Sequence, residues 1–334
     1  MIIDCYAHGI HGQYLDEMAA VGGGWAKNVI EKLVARTREN KPHITNVTLR
    51  IEQLDRNGID QQMVVPFHGV DSNIMPGDAT AKVAYAKVLN NAMAQLMEDS
   101  KGRLVAGGTV PLEAFEQGGR REMERALKGL GLKAILVVSN IAGKPLDLPE
   151  FESFWAAAAQ MGVAVYIHPA DSAGRKDRSY EAEYDLMHNF GWPFETELMM
   201  SRLVFSGIME RYPGLKVVTH HLGGGIPFFW GRINETYDPS TQPKKIGRVF
   251  SKPLFDYFSR FYYDTAVGGN GPAIRCAYEV FGADQLVFAT DYPFGPGTGE
   301  SRLAEYPKVI ESLGFSEADS KKIFEDNARR ILNL

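Results

Sequence analysis

The sequence contains little cysteine: Cys5 and Cys276 are the only two in 334 residues. Two cysteines are too few for a disulfide framework in a chain of this length, and their spacing matches no zinc-finger pattern. We therefore expect both side chains to be core residues, in a protein that does not depend on disulfide bonds for its stability.

Long apolar runs and clusters of positive charge are also lacking. No segment approaches about 18 uncharged apolar residues, the length that a transmembrane helix requires, and no basic stretch followed by an apolar one opens the chain. The net charge is -5 and the pI is near 5.9, with dispersed lysines and arginines. Such a surface does not attract nucleic acid or anionic lipid. We expect a cytoplasmic protein that binds neither membrane nor nucleic acid.

Short apolar segments are frequent, and eight of them have the composition of buried strands. They cover residues 2–6, 62–66, 103–107, 133–138, 163–167, 216–220, 261–265 and 285–290. Segments with helical periodicity alternate with them, at 78–97, 114–130, 149–161, 195–212 and 272–281. Eight strand-helix units favour an α/β fold of the closed parallel (β/α)8 TIM barrel type over an open doubly wound sheet.

The barrel is expected to form one domain over residues 1–334, because no linker rich in proline, glycine or serine divides the chain. The long segment from Gly9 to Asn46 follows the first strand, and we expect this insertion to cap the barrel mouth. The polar segment from Asp238 to Pro253 is predicted to be a second surface excursion.

Histidine and aspartate residues stand at the ends of four predicted strands. His8, His168, His221 and Asp291 follow strands one, five, six and eight. The carboxyl ends of all barrel strands meet at one mouth, so these side chains are expected to converge. A single histidine after a strand is usually a hydrogen-bonded structural residue. Four such residues at one mouth instead predict a site for one divalent metal ion, with zinc as the first choice and manganese as the alternative.

The residues around these positions resemble the sequence blocks of the amidohydrolase superfamily. The branch they resemble comprises the metal-dependent decarboxylases related to aminocarboxymuconate-semialdehyde, resorcylate and carboxyvanillate decarboxylases. The resemblance extends over essentially the whole chain, and the order and spacing of the blocks carry it. The blocks run from Ile3 to His8, Tyr166 to Pro169, His221 to Phe228 and Phe288 to Pro293.

One position departs from the family pattern. The first motif of the family places histidine or glutamate two residues before the position of His8, and this chain has Tyr6 there. Tyr6 could bind the ion through its phenolic oxygen, because a divalent cation lowers the pKa of a phenol. The alternative is a hydrogen-bonding or gating role for Tyr6, with three protein ligands and water on the ion.

His220 and His221 are adjacent, and successive side chains of a strand point to opposite faces. The spacing to Pro227 matches the family block when His221 is the functional residue. The resemblance therefore implies that His221 acts as an acid or base, and His220 is expected in the barrel wall. It also implies that Asp291 both binds the ion and exchanges a proton, whereas the alternative for Asp291 is a turn or cap residue.

Three further residues are candidates for substrate binding. Arg50 resembles an arginine that family members direct at a substrate carboxylate, which a planar guanidinium binds with two hydrogen bonds. A solvated position at the start of a helix is the alternative for Arg50. Trp192 could stack on an aromatic substrate or pack in the core, and Phe294 is expected to line the pocket.

The predicted function is that of a metal-dependent decarboxylase, or carboxy-lyase, acting on an aromatic or unsaturated carboxylic acid in the catabolism of aromatic compounds. A hydrolase or hydratase that opens a lactone or hydrates an unsaturated diacid is the second hypothesis. A degenerate barrel that binds a small molecule without catalysis is the third, and Tyr6 motivates it. The resemblance also implies a homo-oligomer, either a dimer or a tetramer.

Overall fold

Eight parallel strands form a barrel in the computed structural model, which describes residues 1–67, 71–170, 184–237 and 249–334. Each strand pairs with the next along the chain. The predicted TIM barrel is confirmed, and each of the eight predicted strand segments overlaps a barrel strand. The strands are β1 (Ile3–Gly9), β2 (Gln61–Pro66), β3 (Leu104–Thr109), β4 (Ala134–Val138), β5 (Ala164–His168), β6 (Lys216–Thr219), β7 (Phe261–Asp264) and β8 (Leu286–Val287).

Backbone hydrogen bonds between β1 and the segment that follows β8 close the barrel. The amide of Cys5 donates to the carbonyl of Phe288 at 2.8 Å, and the amide of His8 donates to the carbonyl of Tyr292 at 2.7 Å. These bonds fix the mouth end of β1 against the segment that carries Asp291.

Helices lie between the strands, and their apolar faces pack on the barrel. A separate apolar cluster fills the barrel interior. Two short strands, Asn140–Ile141 and Lys144–Pro145, form an antiparallel hairpin after β4. The helices are α1 (Leu15–Glu39), α2 (Val47–Arg56), α3 (Ala79–Asp99), α4 (Arg120–Glu124), α5 (Glu152–Met161), α6 (Trp192–Phe205), α7 (Ile208–Arg211), α8 (Trp230–Tyr237), α9 (Leu254–Phe258), α10 (Gly271–Phe281), α11 (Glu300–Ser312), α12 (Glu317–Lys321) and α13 (Asn327–Leu332).

Side-chain caps explain where several helices begin. The side-chain oxygens of Asn46, Asp78 and Asn270 accept hydrogen bonds from backbone amides in the first turns of α2, α3 and α10. Each bond satisfies an amide that has no partner within its helix. Within the described ranges, no helix combines the length and the apolar character needed to cross a bilayer.

The segment after β1 contains the long helix α1 and returns to the mouth near its end. Nζ of Lys41 donates to the carbonyls of Pro293 and Gly295 at 2.6 and 2.8 Å. The guanidinium of Arg36 lies 5.9 Å from the ring centre of Phe294. The capping role of the whole segment stays a prediction. Residues 238–248 of the second predicted excursion lie outside the described residues.

Candidate metal and catalytic site

Three of the predicted ligands, His8, His168 and Asp291, lie together at the barrel mouth. Nε2 of His8 is 3.3 Å from Oδ1 of Asp291, and the ring centres of His8 and His168 are 5.4 Å apart. Two imidazoles that bind one ion through nitrogens at about 2.1 Å have ring centres about 5 Å apart. The spacing of these side chains is therefore close to that of ligands around a shared ion.

Hydrogen bonds to backbone carbonyls fix the orientation of both imidazoles. Nδ1 of His8 donates to the carbonyl of Pro66 at 3.3 Å, and Nδ1 of His168 donates to the carbonyl of Pro169 at 2.5 Å. Among the described residues, the buried Nε2 of His8 has no hydrogen-bond partner of regular geometry. A histidine held by Nδ1 in this way presents the lone pair of Nε2, which is the usual arrangement of a metal ligand.

The donor set fits a divalent cation in its chemistry. Two neutral imidazoles and a carboxylate suit zinc and also manganese. In the part of the chain that the structure describes, no three His, Cys, Asp or Glu side chains are already gathered in ligand positions. The side chains of His8, His168 and Asp291 would therefore have to move from the positions described above in order to bind one ion.

Asp291 is held by Arg302, a residue that no motif of the sequence indicates. Nη1 of Arg302, on α11, donates to Oδ2 of Asp291 at 2.8 Å. Burial acts to raise the pKa of Asp291, but His8, Arg302 and His221 together outweigh it and hold the pKa at about 2. Asp291 is consequently ionised at neutral pH, as a ligand or a proton acceptor must be.

His221 lies just beyond the end of β6, where the alternation of strand side chains no longer applies. Its φ of 54° is left-handed, and its amide donates to Oδ1 of Asp264 at 2.9 Å. Burial lowers the pKa of its imidazole. Within the described residues, Nδ1 of His221 is buried without a hydrogen-bond partner. A turn containing Gly223 and Gly224 follows, both with positive φ.

His220 does not lie in the barrel wall, and this expectation was wrong. Its ring is fully buried inside the barrel and stacks on Tyr6, with ring centres 3.6 Å apart. The physical reason is alternation itself: His220 comes two residues after Val218, which belongs to the interior cluster, so both point inward. Alternation had been applied with His221 as the inward residue, on its spacing to Pro227, whereas the extended backbone of His220 continues the alternation from Val218.

Asp264 is a site residue that the sequence reasoning missed. Its Oδ2 lies 2.9 Å from Nδ1 of His220, and Oδ1 accepts the amide of His221. Burial raises the pKa of Asp264 to about 6. A signal was available, because Asp264 lies next to the last residue of the predicted strand at 261–265, much as Asp291 follows strand eight.

Tyr6 stands beside His8, with ring centres 4.8 Å apart. Burial raises the pKa of its phenol well above the usual value. Its hydroxyl is buried and has no hydrogen-bond partner in the described ranges. Tyr6 is thus a neutral phenol in this environment, and its service as a ligand stays a prediction.

Arg50 is buried, so the expectation of a solvated position at the start of a helix was wrong. The side chain is 1% exposed; Nε donates to the carbonyl of His43 at 3.1 Å and Nη1 donates to Oε1 of Gln62 at 2.6 Å. Nη2 donates to the carbonyl of His8. A substrate carboxylate would have to displace these internal acceptors, so the geometry does not support substrate binding by Arg50.

Two aromatic residues flank the candidate ligands. The ring of Phe294 lies 5.1 Å from that of His8, and the ring of Trp192 lies 5.4 Å from that of His168, both edge to face. Both side chains are half-buried. These positions beside the candidate ligands suit walls of a pocket for an aromatic ligand.

Comparison with known proteins gives concordant matches. The family model described as Amidohydrolase matches residues 3–334. The chain is 31% identical over 301 residues to 2-amino-3-carboxymuconate-6-semialdehyde decarboxylase of Dictyostelium discoideum, covering 89% of this chain and 79% of that protein. The crystal structure of 5-carboxyvanillate decarboxylase from Sphingomonas paucimobilis matches with a TM-score of 0.84 at 23% identity, covering 100% of this chain and 99% of that one.

A second solved structure bears on the metal. Dihydroxybenzoic acid decarboxylase from Polaromonas, with bound manganese and the inhibitor 2-nitroresorcinol, matches with a TM-score of 0.79 at 24% identity. The match covers 100% of this chain and 97% of that chain. At these identities the two structural matches establish the barrel fold of this chain.

Proposed function

Because the chain belongs to the amidohydrolase family and is an enzyme, we propose that it is a metal-dependent decarboxylase of a small aromatic carboxylic acid. The observation that carries the proposal is the convergence of His8, His168 and Asp291 at the mouth of this barrel. The three relatives reported above are decarboxylases, and the two with solved structures are named for aromatic acids.

His8, His168 and Asp291 are the residues that would hold the ion, which we propose to be manganese or zinc. The manganese in the Polaromonas enzyme supports a divalent ion in this role. When bound, the ion supplies a Lewis acid that polarises oxygen atoms of the substrate.

Trp192 and Phe294 would enclose the aromatic ring of the substrate from two sides, because each lies beside one candidate ligand. Arg36 is a better candidate than Arg50 for attracting the substrate carboxylate. It is exposed, and its guanidinium lies over the ring of Phe294 at 5.9 Å. A planar guanidinium at this position can meet an incoming carboxylate without breaking an internal hydrogen bond.

The reaction breaks the bond between the ring carbon and the carboxylate, releases carbon dioxide and places a proton on that ring carbon. Asp291 and His221 are the proton carriers in this proposal. The ionised carboxylate of Asp291 would accept the proton of a substrate hydroxyl and deliver it to the ring carbon, and the phenolate left after carbon dioxide departs would take one proton from water. His221, whose lowered pKa leaves it neutral at pH 7, is the second carrier.

The test is a substrate screen with protein loaded with manganese or zinc. We expect carbon dioxide release from a member of a panel containing 2,6-dihydroxybenzoate, 5-carboxyvanillate and phthalate-like acids. Activity should be lost in His168→Gln and Asp291→Asn. The exposed pair His11 and Asp99, 2.9 Å apart, provides matched controls, because His11→Gln and Asp99→Asn make the same chemical changes outside the site.

Two outcomes would contradict the proposal. Ring opening of a lactone or hydration of an unsaturated diacid, followed by ultraviolet absorbance and without carbon dioxide release, would identify a hydrolase or hydratase. A protein that binds acids of the panel but holds no stoichiometric metal and turns nothing over would be a degenerate barrel.

A further inference from the structure

A third imidazole shares the barrel interior with the candidate ligands. The ring centre of His220 is 5.7 Å from that of His168, close to the 5.4 Å between His168 and His8. His220 is 0% exposed, and within the described residues its Nε2 has no hydrogen-bond partner. A buried nitrogen without a partner is costly unless something else binds it.

Asp264 determines which nitrogen of His220 is available. Its carboxylate is 2.9 Å from Nδ1, so Nδ1 carries the proton and Nε2 keeps a lone pair. A histidine bonded through one nitrogen to a carboxylate is the common arrangement of a metal ligand with its supporting residue. His8 and His168 are held in the same way, by carbonyls at Nδ1.

Tyr6, which stacks on His220, gives a reason to expect a metal ligand from the segment after β6. Tyr6 occupies the position at which the family pattern has histidine or glutamate. The rings of Tyr6 and His220 stack, with centres 3.6 Å apart and an interplanar angle of 28°. The segment after β6 therefore places a nitrogen donor directly against the side chain at that position of β1.

We propose that His220 is a ligand of the bound cation together with His8, His168 and Asp291, and that Asp264 positions it. This inference rests on the metal site of the proposed function. It gives this chain a coordination set in which the segment after β6 supplies an imidazole next to Tyr6.

Zinc affinity tests the proposal directly. Purified protein is stripped of metal, and the Kd for zinc is measured by competition with a chromophoric chelator. We expect His220→Ala to raise Kd at least about tenfold, and Asp264→Asn to raise it by about 10- to 100-fold. His221→Ala is the matched control: it removes the adjacent imidazole, and its Kd should remain that of the wild type. Circular dichroism of each metal-free variant checks that it is folded.

A crystal structure of the zinc-loaded wild type keeps the test independent of variant folding. We expect Nε2 of His220 about 2.1 Å from the ion. If one zinc binds but Nε2 lies beyond bonding distance, or if His220→Ala folds and keeps the wild-type Kd, the inference about His220 is wrong while the proposed function stands. If the wild type binds no zinc or manganese, both the inference and the metal site of the proposed function are overturned.

Discussion

Arg50 is the residue whose burial most changes its expected role. Its guanidinium donates to acceptors on three different residues, and it lies 4.9 Å from the ring centre of Tyr292. Burial lowers its pKa to about 10, so it remains charged at neutral pH. One of the acceptors is the carbonyl of His8, and Arg50 therefore fixes the backbone that carries a proposed ligand.

Replacing Arg50 should change stability more than substrate affinity. We expect Arg50→Met to lower the free energy of unfolding by about 3–5 kcal/mol, because its buried acceptors lose a charged partner. The matched change Arg36→Met affects an exposed side chain and should alter stability by about 0.5 kcal/mol or less while raising KM for the acid. Urea unfolding and steady-state kinetics measure both. A raised KM with unchanged stability in Arg50→Met would restore its expected substrate role.

Asp4 predicts a pH dependence of stability. Its buried carboxylate accepts from Oγ1 of Thr290 at 2.6 Å and from Nε2 of Gln62 at 2.7 Å, and burial raises its pKa to about 6. Between pH 3.8, the usual pKa of the group, and about pH 6, the Asp4 carboxyl is protonated in the folded state and ionised in the unfolded state. This contribution to stability is complete below the usual pKa and is lost as pH rises through the folded value.

The comparison with Asp4→Asn isolates this group, because the amide does not titrate. The free energy of unfolding of the wild type minus that of Asp4→Asn should fall by roughly 2 kcal/mol from pH 4 to pH 6.5 and then level off. Urea unfolding in the presence of EDTA gives the difference at each pH. A difference that is constant or rises with pH would show that Asp4 does not carry the raised pKa.

At the scale of elements, the sequence was sufficient for the strands. Strands buried on both faces form uninterrupted apolar runs, and each of the eight runs became a barrel strand. The site was only partly predictable. Arg302 reaches Asp291 from a helix, and no local pattern links the two. The turn position of His221 depends on where β6 ends, which an apolar run does not define to one residue.

The turn after β6 is the element that holds His221, and it requires glycine. Gly224 has a φ of 65°, and a Cβ there would clash with the carbonyl of Pro193. We expect Gly224→Ala to lower the free energy of unfolding by about 1–3 kcal/mol or more. Gly231→Ala is the control, since a Cβ there meets nothing within 4 Å and alanine favours the helix by about 0.5–1 kcal/mol. Equal stabilities of the two variants by urea unfolding would refute this account of the turn.

At the scale of the whole molecule, the proposed ligands join distant parts of the barrel. His8 is on β1, His168 ends β5, and Asp291 follows β8. The junction of first and last strands otherwise depends on separate hydrogen bonds and one isolated bridge between Ala7 and Tyr292. An ion at the mouth would therefore link β1 to the segment after β8, where the barrel closes.

Metal removal should consequently lower the thermal stability of the entire fold. An ion that binds only the folded state, at a free concentration 100 times its Kd, stabilises that state by about 2.7 kcal/mol. We expect calorimetry to show a Tm that rises with zinc or manganese concentration and falls in EDTA. His168→Gln loses one proposed ligand, so its Tm should respond much less to the ion. A wild-type Tm that is the same in saturating metal and in EDTA would show that the ion does not bind preferentially to the folded state.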